Sequence, residues 1–475
     1  MNMRRTRFAR RPVAAWLVCA ATALALLGLT GPVAAYGGTV AWSPQVAGAP
    51  YPIRSADFID ASVGYAVGDA GTILKTADGG STWTPQTSGT LSPLVSVHLF
   101  DVDTGWASGG GGAILKTVNG GTTWTPQISN TTDALYGIDF YNATDGWAVG
   151  VNGTIVHTAD GGTTWAPQTS GTSDFLIAVH STDADTAWAV GQNGTILKTI
   201  NGGTNWVPQT SGTSEWLYSV DFTDTDTGWA VGSAGTILKT VNGGTLWTPQ
   251  TSGTANVLFG ICFLDAQTGW AAGSMGTVLG TVNGGATWVP QGLGNTDSLL
   301  WVEFVRAHTG WVGGGTFGGG VIFKTPVPVP LYRFYNASNG AHFYTASEAE
   351  KQSVLNHHDW PFTYEGPAYH VLDNASADGI PVYRFYNASN GAHFYTASEA
   401  EKESVLNHHD WPFTYEGIAY YVLPSAYSDA MPVYRFYNVR NGAHFYTASE
   451  AEKENVLNHH DWPFTYEGIA YYVPR

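Results

Sequence analysis

Cysteine is almost missing: 475 residues contain two, Cys19 and Cys262, and the first lies in a leader-like segment. With one thiol left over, no intrachain disulfide can form, so the fold must be held by its core. Positive charge is scarce as well, with 20 Lys and Arg against 37 Asp and Glu and a formal net charge of −17. So acidic a surface repels nucleic acid and anionic lipid, which excludes nucleic acid as a partner. Beyond residue 30 no apolar run reaches 18 residues, so stable membrane insertion is not expected there. Signatures of covalent or metal catalysis are missing too: neither GxSxG, SxxK nor HExxH occurs.

What is present begins with a basic cluster, Arg4, Arg5, Arg7, Arg10 and Arg11, followed by the apolar stretch Val13–Leu29 and the small residues Val33-Ala34-Ala35. That order is read as a secretory signal over residues 1–35, cleaved after Ala35, with an uncleaved anchor as the alternative. Arg4-Arg5 hints at twin-arginine export through an incomplete motif. Cleavage removes five basic and no acidic residues, so the mature charge is 15 − 37 = −22. Secretion, extracellular or periplasmic, is the expected location.

The rest is dominated by a repeat. Trp recurs at 42, 83, 124, 165, 206, 247 and 288, always 41 residues apart, and a second aromatic series runs Tyr65, Trp106, Trp147, Trp188, Trp229, Trp270 and Trp311. One unit reads as four short strands, Leu135–Phe140, Trp147–Gly150, Thr154–Thr158 and Thr164–Gln168, separated by turns rich in Gly, Asn and Asp. Four strands per ~40 residues is a β-propeller blade, which cannot bury both of its faces alone. The first copy begins in its fourth strand, Val40 to Gln45, and the last ends after its third, Val321–Lys324. The N-terminal strand is therefore expected to complete the last blade, closing seven blades over residues 36–325 and leaving no open edge.

Thr76-Ala-Asp78-Gly-Gly80-Ser-Thr82-Trp83 matches the S/T-x-D-x-G-x-T-W turn called the Asp box, and five further copies carry Asn119, Asp160, Asn201, Asn242 and Asn283 at the acidic position. On these motifs and on repeats of the form GWAVGxxGTILKTxNGGTTW, residues 36–325 resemble the Asp-box propellers, most closely the photosystem II stability and assembly factor type. The resemblance implies a propeller and, for that type, help in assembling a membrane complex. Sialidases share the Asp box but grip substrate with an arginine triad, and here the propeller has only Arg54 and Arg306.

Pro326–Pro330 reads as a proline-rich linker. A second repeat of 51 residues then occurs three times over 331–475, opened by Tyr332–Asn336, Tyr383–Asn387 and Tyr434–Asn438. Each copy reads as strand, turn, strand (His393–Thr396), a short helix opened by the capping box Ser398-Glu-Ala-Glu401, and a return strand from Phe413 to Val422. The fold class is thus mainly β, a seven-bladed propeller followed by a pseudo-threefold ββαβ module. The triplet, with its YRFYN and HFYT motifs, resembles a repeat of uncharacterised function found beside secreted hydrolases, which implies an accessory, attachment role.

Periodic tryptophans are core; the informative residues break the period. Trp216 lies in a loop joining one blade's fourth strand to the next blade's first, and the same loop position holds Asp133, Asp174, Glu215, Asn256 and Asp297. Phe175 follows one of these acids as Trp216 follows another, and Phe317, in the loop Gly313–Gly320, is expected on the same face. Flat aromatics beside carboxylates suit a glycan or protein-binding face, since ring faces stack and carboxylates accept hydrogen bonds; the bland reading is a solvated acidic rim. A second series, Asp57, His98, Asp139, His180, Asp221, Cys262 and Glu303, lines the innermost strands, where a water-filled channel is the expectation and a cation site the alternative. In the triplet, His342, His393 and His444 are symmetry-related and invite a three-His metal site, but structural packing is the better reading; Tyr332, Tyr344 and Trp360 with their equivalents are candidates for three shallow sugar sites or, equally, for the core of a small aromatic-rich module. No cofactor and no metal is expected. The chain reads as a secreted, non-catalytic binding protein with a glycan or cell-surface protein as partner. A glycoside hydrolase using the rim carboxylates is one alternative, and an assembly factor for a membrane complex another.

Overall fold

The computed structural model describes residues 42–45, 49–306, 309–316, 319–325, 328–372, 380–423, 430–459 and 461–474, so the segment read as a signal falls outside the described residues. Blade 3 shows how the repeat folds: Leu135–Phe140, Gly146–Gly150, Ile155–Thr158 and Ala166–Gln168 form one sheet in chain order. The second strand is buried along its whole length, which is why it reads as the unbroken run Gly-Trp-Ala-Val-Gly. The outermost strand is mostly exposed and carries Pro167, which blunts the free edge. Blades 1 to 6 begin at Ile53, Leu94, Leu135, Leu176, Leu217 and Leu258, and blade 7 at Leu299.

Blade 7 is composite. Ser43–Gln45 pairs antiparallel with Gly319–Lys324, in the register Ser43↔Lys324, Pro44↔Phe323 and Gln45↔Ile322. At the join of blades 7 and 1, Trp311 stacks on Phe58 with centroids 3.6 Å apart and donates Nε1–H to the Gly79 carbonyl at 3.0 Å. The same joint links Trp106 to Phe140, Trp188 to Phe222 and Trp229 to Phe263, so the ring closes with its ordinary contact. Each such phenylalanine also meets the Asp-box tryptophan of its own blade edge-on, as Phe140 meets Trp165 at 5.8 Å.

Lysine explains part of the charge imbalance. Lys75, Lys116, Lys198 and Lys239 donate to the carbonyls of Gly120, Gly161, Gly243 and Gly284, each in the Asp-box turn of the next blade. Their ammonium groups also lie over the aromatic ring of the second strand, as Lys198 does over Trp188 at 4.7 Å, and Lys324 lies over Trp311. Burial lowers the pKa of Lys116, Lys198, Lys239 and Lys324. Every lysine of the propeller thus serves a blade joint. Blade 3 has His157 and blade 6 has Gly280 instead; the blade that Gly280 faces takes its fourth strand from the N-terminal segment and has no such turn.

In the Asp box itself, Asp78 accepts from the backbone N–H and the hydroxyl of Thr82 at 2.8 and 2.7 Å, and Thr76 Oγ1 accepts from Gly80 N–H. The chain reverses through Gly79 and Gly80 at φ 69° and 93°, where a Cβ is disfavoured.

The C-terminal module starts earlier than the linker reading allows. Pro328 to Pro330 belong to the strand Pro328–Asn336, paired with Phe362–Leu372. Proline is tolerated there because it sits at the strand's opening. Each repeat is strand, strand, nine-residue helix, strand, as in Ile380–Asn387, Ala392–Thr396, Glu399–Asn407 and Phe413–Val422. Ser398 caps its helix by accepting from Glu401 N–H. The reciprocal half of the capping box is diverted: the Glu401 carboxylate binds Arg435 of the next repeat, as Glu350 binds Arg384 and Glu452 binds Arg333.

On the threefold axis, Tyr344, Tyr395 and Tyr446 are fully buried and linked in a cycle. Tyr344 Oη donates to the Tyr446 carbonyl, Tyr395 Oη to that of Tyr344, and Tyr446 Oη to that of Tyr395, at 2.8, 2.8 and 2.6 Å. Each hydroxyl also accepts a backbone N–H from the same ring of three. Between repeats, burial first and the adjacent arginine second push the imidazoles of His393 and His444 down to about 4. They are neutral rings donating Nε2–H to Glu416 and Glu467, both at 3.3 Å, rather than ion-paired cations.

Those histidines predict an acid-side loss of stability. In the unfolded chain an imidazole titrates near ~6.5, so on acidification the unfolded state takes up the proton first. Stability should be complete above that value and fall as pH drops from about 6.5 towards the folded value of about 4. Roughly 2–3 kcal/mol per imidazole is involved. Thermal unfolding of the wild type between pH 7 and 4.5, against His393→Gln/His444→Gln, measures it: the variant should show the flatter profile, and parallel profiles would refute the assignment.

Candidate functional site

The loops entering each blade and the turns between second and third strands share one face, as their contacts show. Asp133 accepts from Asn152 Nδ2 and Thr154 Oγ1 at 3.2 and 2.6 Å, and Asp174 from Asn193 and Thr195 at 3.0 and 2.6 Å. Asn152 and Asn193 sit at φ 57° and 56°, so these acids brace a left-handed turn in their own blade. Asn256 reaches Thr277 in the same way, and Asp297 accepts from Asn295 Nδ2. Four of the five loop positions are therefore occupied by local structure.

Glu215 is the exception. Its turn carries Ala234 where Asn152 and Asn193 stand, and among the described residues its carboxylate has no hydrogen-bond or ion-pair partner. Next to it the aromatic residues do come together. Phe175, 37% exposed, meets Trp216 edge-on at 6.2 Å. Trp216 stacks on Tyr218 at 6.2 Å, and Tyr218 meets Phe259 at 5.2 Å, so four rings run across the entry loops and inner strands of blades 4 to 6. Phe317 lies outside the described residues, and most of its loop is strand: Thr309–Thr316 pairs with Gly319–Lys324 out to Thr316↔Gly319.

Tyr218 and Phe259 were not singled out from the sequence. Both sit on a β-bulge that recurs in all seven innermost strands, where the pairing skips one residue, as between Leu217 and Ser219. The bulge re-aims one side chain per blade, and the column it creates is Arg54, Val95, Tyr136, Ile177, Tyr218, Phe259 and Leu300. A 41-residue alignment contains that column, but strict strand alternation hides it. Arg54, in the same column, is held by Asp69 through two hydrogen bonds of 2.9 Å.

A groove of about 650 Å³ opens beside this loop, lined by Thr213, Ala234, Thr236 and Pro249 among others. Its counterpart at blade 3, about 520 Å³, is lined by the equivalent Thr131, Asn152, Thr154 and Pro167. The groove belongs to the blade architecture; the four rings beside it do not repeat.

The axial series forms a belt between blades. Asp57 Oδ2 accepts from Leu99 N–H at 2.6 Å, Asp139 from Ser181 N–H at 2.7 Å, and Asp221 from Phe263 N–H at 2.6 Å. His98 and His180 bridge to Asp139 and Asp221 at 3.2 and 3.3 Å. Cys262 Sγ lies 4.0 Å from the Phe304 carbonyl, and Glu303 is also engaged. Among the described residues no group of three or more His, Cys, Asp or Glu is placed to hold a metal ion.

The three-His arrangement does not form. Ala341, Ala392 and Ala443 meet instead, while each histidine packs on the neighbouring repeat, His342 on Phe445 at 5.0 Å and His393 on Phe343 at 5.0 Å. Of the aromatic trio read as a sugar site, Tyr344 is core and Tyr332 lies beneath Lys351, whose ammonium is 4.1 Å from the ring centroid. Trp360 is 46% exposed. Among the described residues no helix is long and apolar enough to cross a membrane.

Comparison with known proteins places these features. The family model described as photosynthesis system II assembly factor YCF48 matches residues 39–131, 126–213 and 208–288, together just over half the chain. A domain family of unknown function, DUF5648, matches residues 323–474. No curated protein sequence matches. Among solved structures, the chain is similar to YCF48 bound to a D1 peptide, at 21% identity over 61% of this chain and 100% of that one, with a TM-score of 0.52. It is also similar to YCF48 from Cyanidioschyzon merolae, at 21% identity over 60% and 98%, with a TM-score of 0.51.

Proposed function

The chain belongs to the photosynthesis system II assembly factor YCF48 family, and from that membership we propose that its propeller recognises a segment of a protein partner rather than turning over a substrate. The observation that carries the reading is the non-repeating row Phe175, Trp216, Tyr218 and Phe259 beside the unpartnered Glu215. Aromatic rings with one polar end are favoured anchors at interfaces, because they give much contact area for little conformational entropy. The propeller carries 20 acidic and 7 basic residues, and its lysines are committed to blade joints, so the favoured segment is extended, apolar and cationic. A relative solved with a D1 peptide supports a peptide as the class of partner. With export through its N-terminal segment, the protein meets that partner outside the cytoplasm.

Selection of the full chain against a display library of random 12-residue peptides tests this. Wild type should enrich peptides combining Arg or Lys with an aromatic or aliphatic residue, and Trp216→Ala should weaken the selected peptide by about 1–2 kcal/mol, roughly tenfold. Glu215→Lys should shift selection away from basic peptides. No enrichment, unchanged binding by Trp216→Ala, or release of product from a glycan by the wild type would each overturn the reading.

A further inference from the structure

The C-terminal module keeps three tryptophans on its surface. Trp360, Trp411 and Trp462 are 46%, 46% and 43% exposed, against the fully buried tyrosines at the centre of the same module. Each sits just past a helix exit, and Trp360 and Trp411 also meet Phe362 and Phe413 edge-on at 6.3 Å. The imidazole at the end of each helix stacks on the indole, His357 on Trp360 at 4.3 Å and 21°, His408 on Trp411 at 4.3 Å and 18°, and His459 on Trp462 at 4.4 Å and 23°. Those imidazoles are tied down by Nδ1 to the carbonyls of Ser353, Ser404 and Asn455 at 2.7, 2.6 and 2.7 Å. A carbonyl only accepts, so Nδ1 carries a proton, and in the neutral ring Nε2 is an acceptor. The backbone N–H of each tryptophan bonds the histidine carbonyl at 3.0 Å, and the following proline restricts the backbone.

The polar surroundings limit the ligand. Asp359 and Asp410, beside the rings, have no ion-pair partner among the described residues. Arg333, Arg384 and Arg435 are bound to glutamates, and Lys351, Lys402 and Lys453 to Glu348, Glu399 and Glu450. Arg440, in the turn between Met431–Asn438 and Ala443–Thr447, is the one lysine or arginine among the module's described residues without an ion pair, so the first two repeats offer hydrogen-bond acceptors and no free lysine or arginine to an anionic ligand. Among the described residues the ring contacts of each indole stay within its own repeat and no two of the three indoles pair, so they are three separate platforms rather than one aromatic cluster. A protein partner favours a contiguous surface, whereas separate identical platforms suit a polymer whose units repeat.

We propose that each repeat presents one carbohydrate subsite, its indole stacking on the flat C–H face of a pyranose, its imidazole and carboxylate accepting hydroxyl hydrogen bonds. The module is then a trivalent receptor for a neutral polysaccharide of equatorially substituted rings, the geometry of β-1,4-linked glucan or chitin. Three weak subsites on one rigid body gain by avidity what each lacks alone.

Retention of the full chain on microcrystalline cellulose and on chitin tests the proposal, with heparin beads and phosphatidylglycerol vesicles as the competing surfaces. Wild type is expected on cellulose or chitin and not on the other two. Trp411→Ala should weaken retention by about two- to fivefold and the triple Trp360→Ala/Trp411→Ala/Trp462→Ala by at least about tenfold. The triple Trp→Tyr variant, which keeps a flat ring, should stay bound, and near-UV circular dichroism checks that both triple variants are folded. A folded triple alanine variant retained like wild type, a wild type retained on neither polysaccharide, or capture by vesicles alone would overturn it.

Discussion

Trp42→Ala should destabilise the propeller by about 3–5 kcal/mol, the range for removing a buried aromatic. Trp42 is 7% exposed and packs with Trp270, Val302, Phe304, Val312 and Phe323, meeting the Phe304 ring edge-on at 6.0 Å. Its importance comes from where it sits. Among the described residues of the N-terminal segment, Ser43–Gln45 pair with blade 7, and three paired residues alone are a weak attachment. The indole anchors that strand against the blade 6–7 core. Its loss should therefore open the edge of Gly319–Lys324 as well as leave a cavity, and an open edge invites aggregation. Urea unfolding followed by tryptophan fluorescence reads the first effect, and light scattering on heating reads the second. A loss below about 1 kcal/mol, with no added aggregation, would mean that the strand is not what completes blade 7.

Tyr395→Phe should cost about 2–4 kcal/mol although it removes a single oxygen. The hydroxyl donates to the Tyr344 carbonyl and accepts from Tyr344 N–H, and all three groups are buried. Phenylalanine fits the same space, so the loss arises from two main-chain groups left without partners, each worth about 1–3 kcal/mol. Tyr420→Phe is the comparison. Its hydroxyl meets the hydroxyl of Tyr471, which keeps Tyr369, so no main-chain group is stranded and a loss nearer ~1 kcal/mol is expected. Calorimetric unfolding of the full chain at pH 7 distinguishes them. Equal effects from the two substitutions would remove the special role of the tyrosine cycle.

The legible part of this protein was whatever its repeats enforce. Seven units in one phase, beginning in a fourth strand and ending in a third, required Ser43–Gln45 to pair with Gly319–Lys324, and they do. Strand limits in blade 3 agree to within two residues because the turns carry glycine and asparagine at left-handed positions, Asn152 among them. Phe175 and Trp216 were identified by breaking the period, and the structure brings their rings together. What stayed hidden is what period alone does not encode. The bulge that re-aims Tyr218 and Phe259 defeats strand alternation. Asp133 and Asp174 looked like ligand-facing acids, but asparagine and threonine 19 and 21 residues downstream engage them. Surface site and core stayed equally open for Tyr344 because a strand's pattern does not reveal that three copies converge on an axis. Pro328–Pro330 looked like a spacer because proline-rich sequence suits both a linker and the opening of a strand.

Closure of the ring underlies the shared face, the belt of axial carboxylates and the acidic rim, and hydrogen exchange tests it most directly. In the full chain, the amides of Ile322 and Lys324, on the strand covered by Ser43–Gln45, should be protected to the same degree as those of Ile155 and His157, which face Gln168 and Ala166 in the equivalent strand of blade 3. In Trp42→Ala they should exchange much faster while blade 3 is unchanged. Rapid exchange across Gly319–Lys324 in the wild type, as from an uncovered edge, would contradict a closed seven-bladed ring.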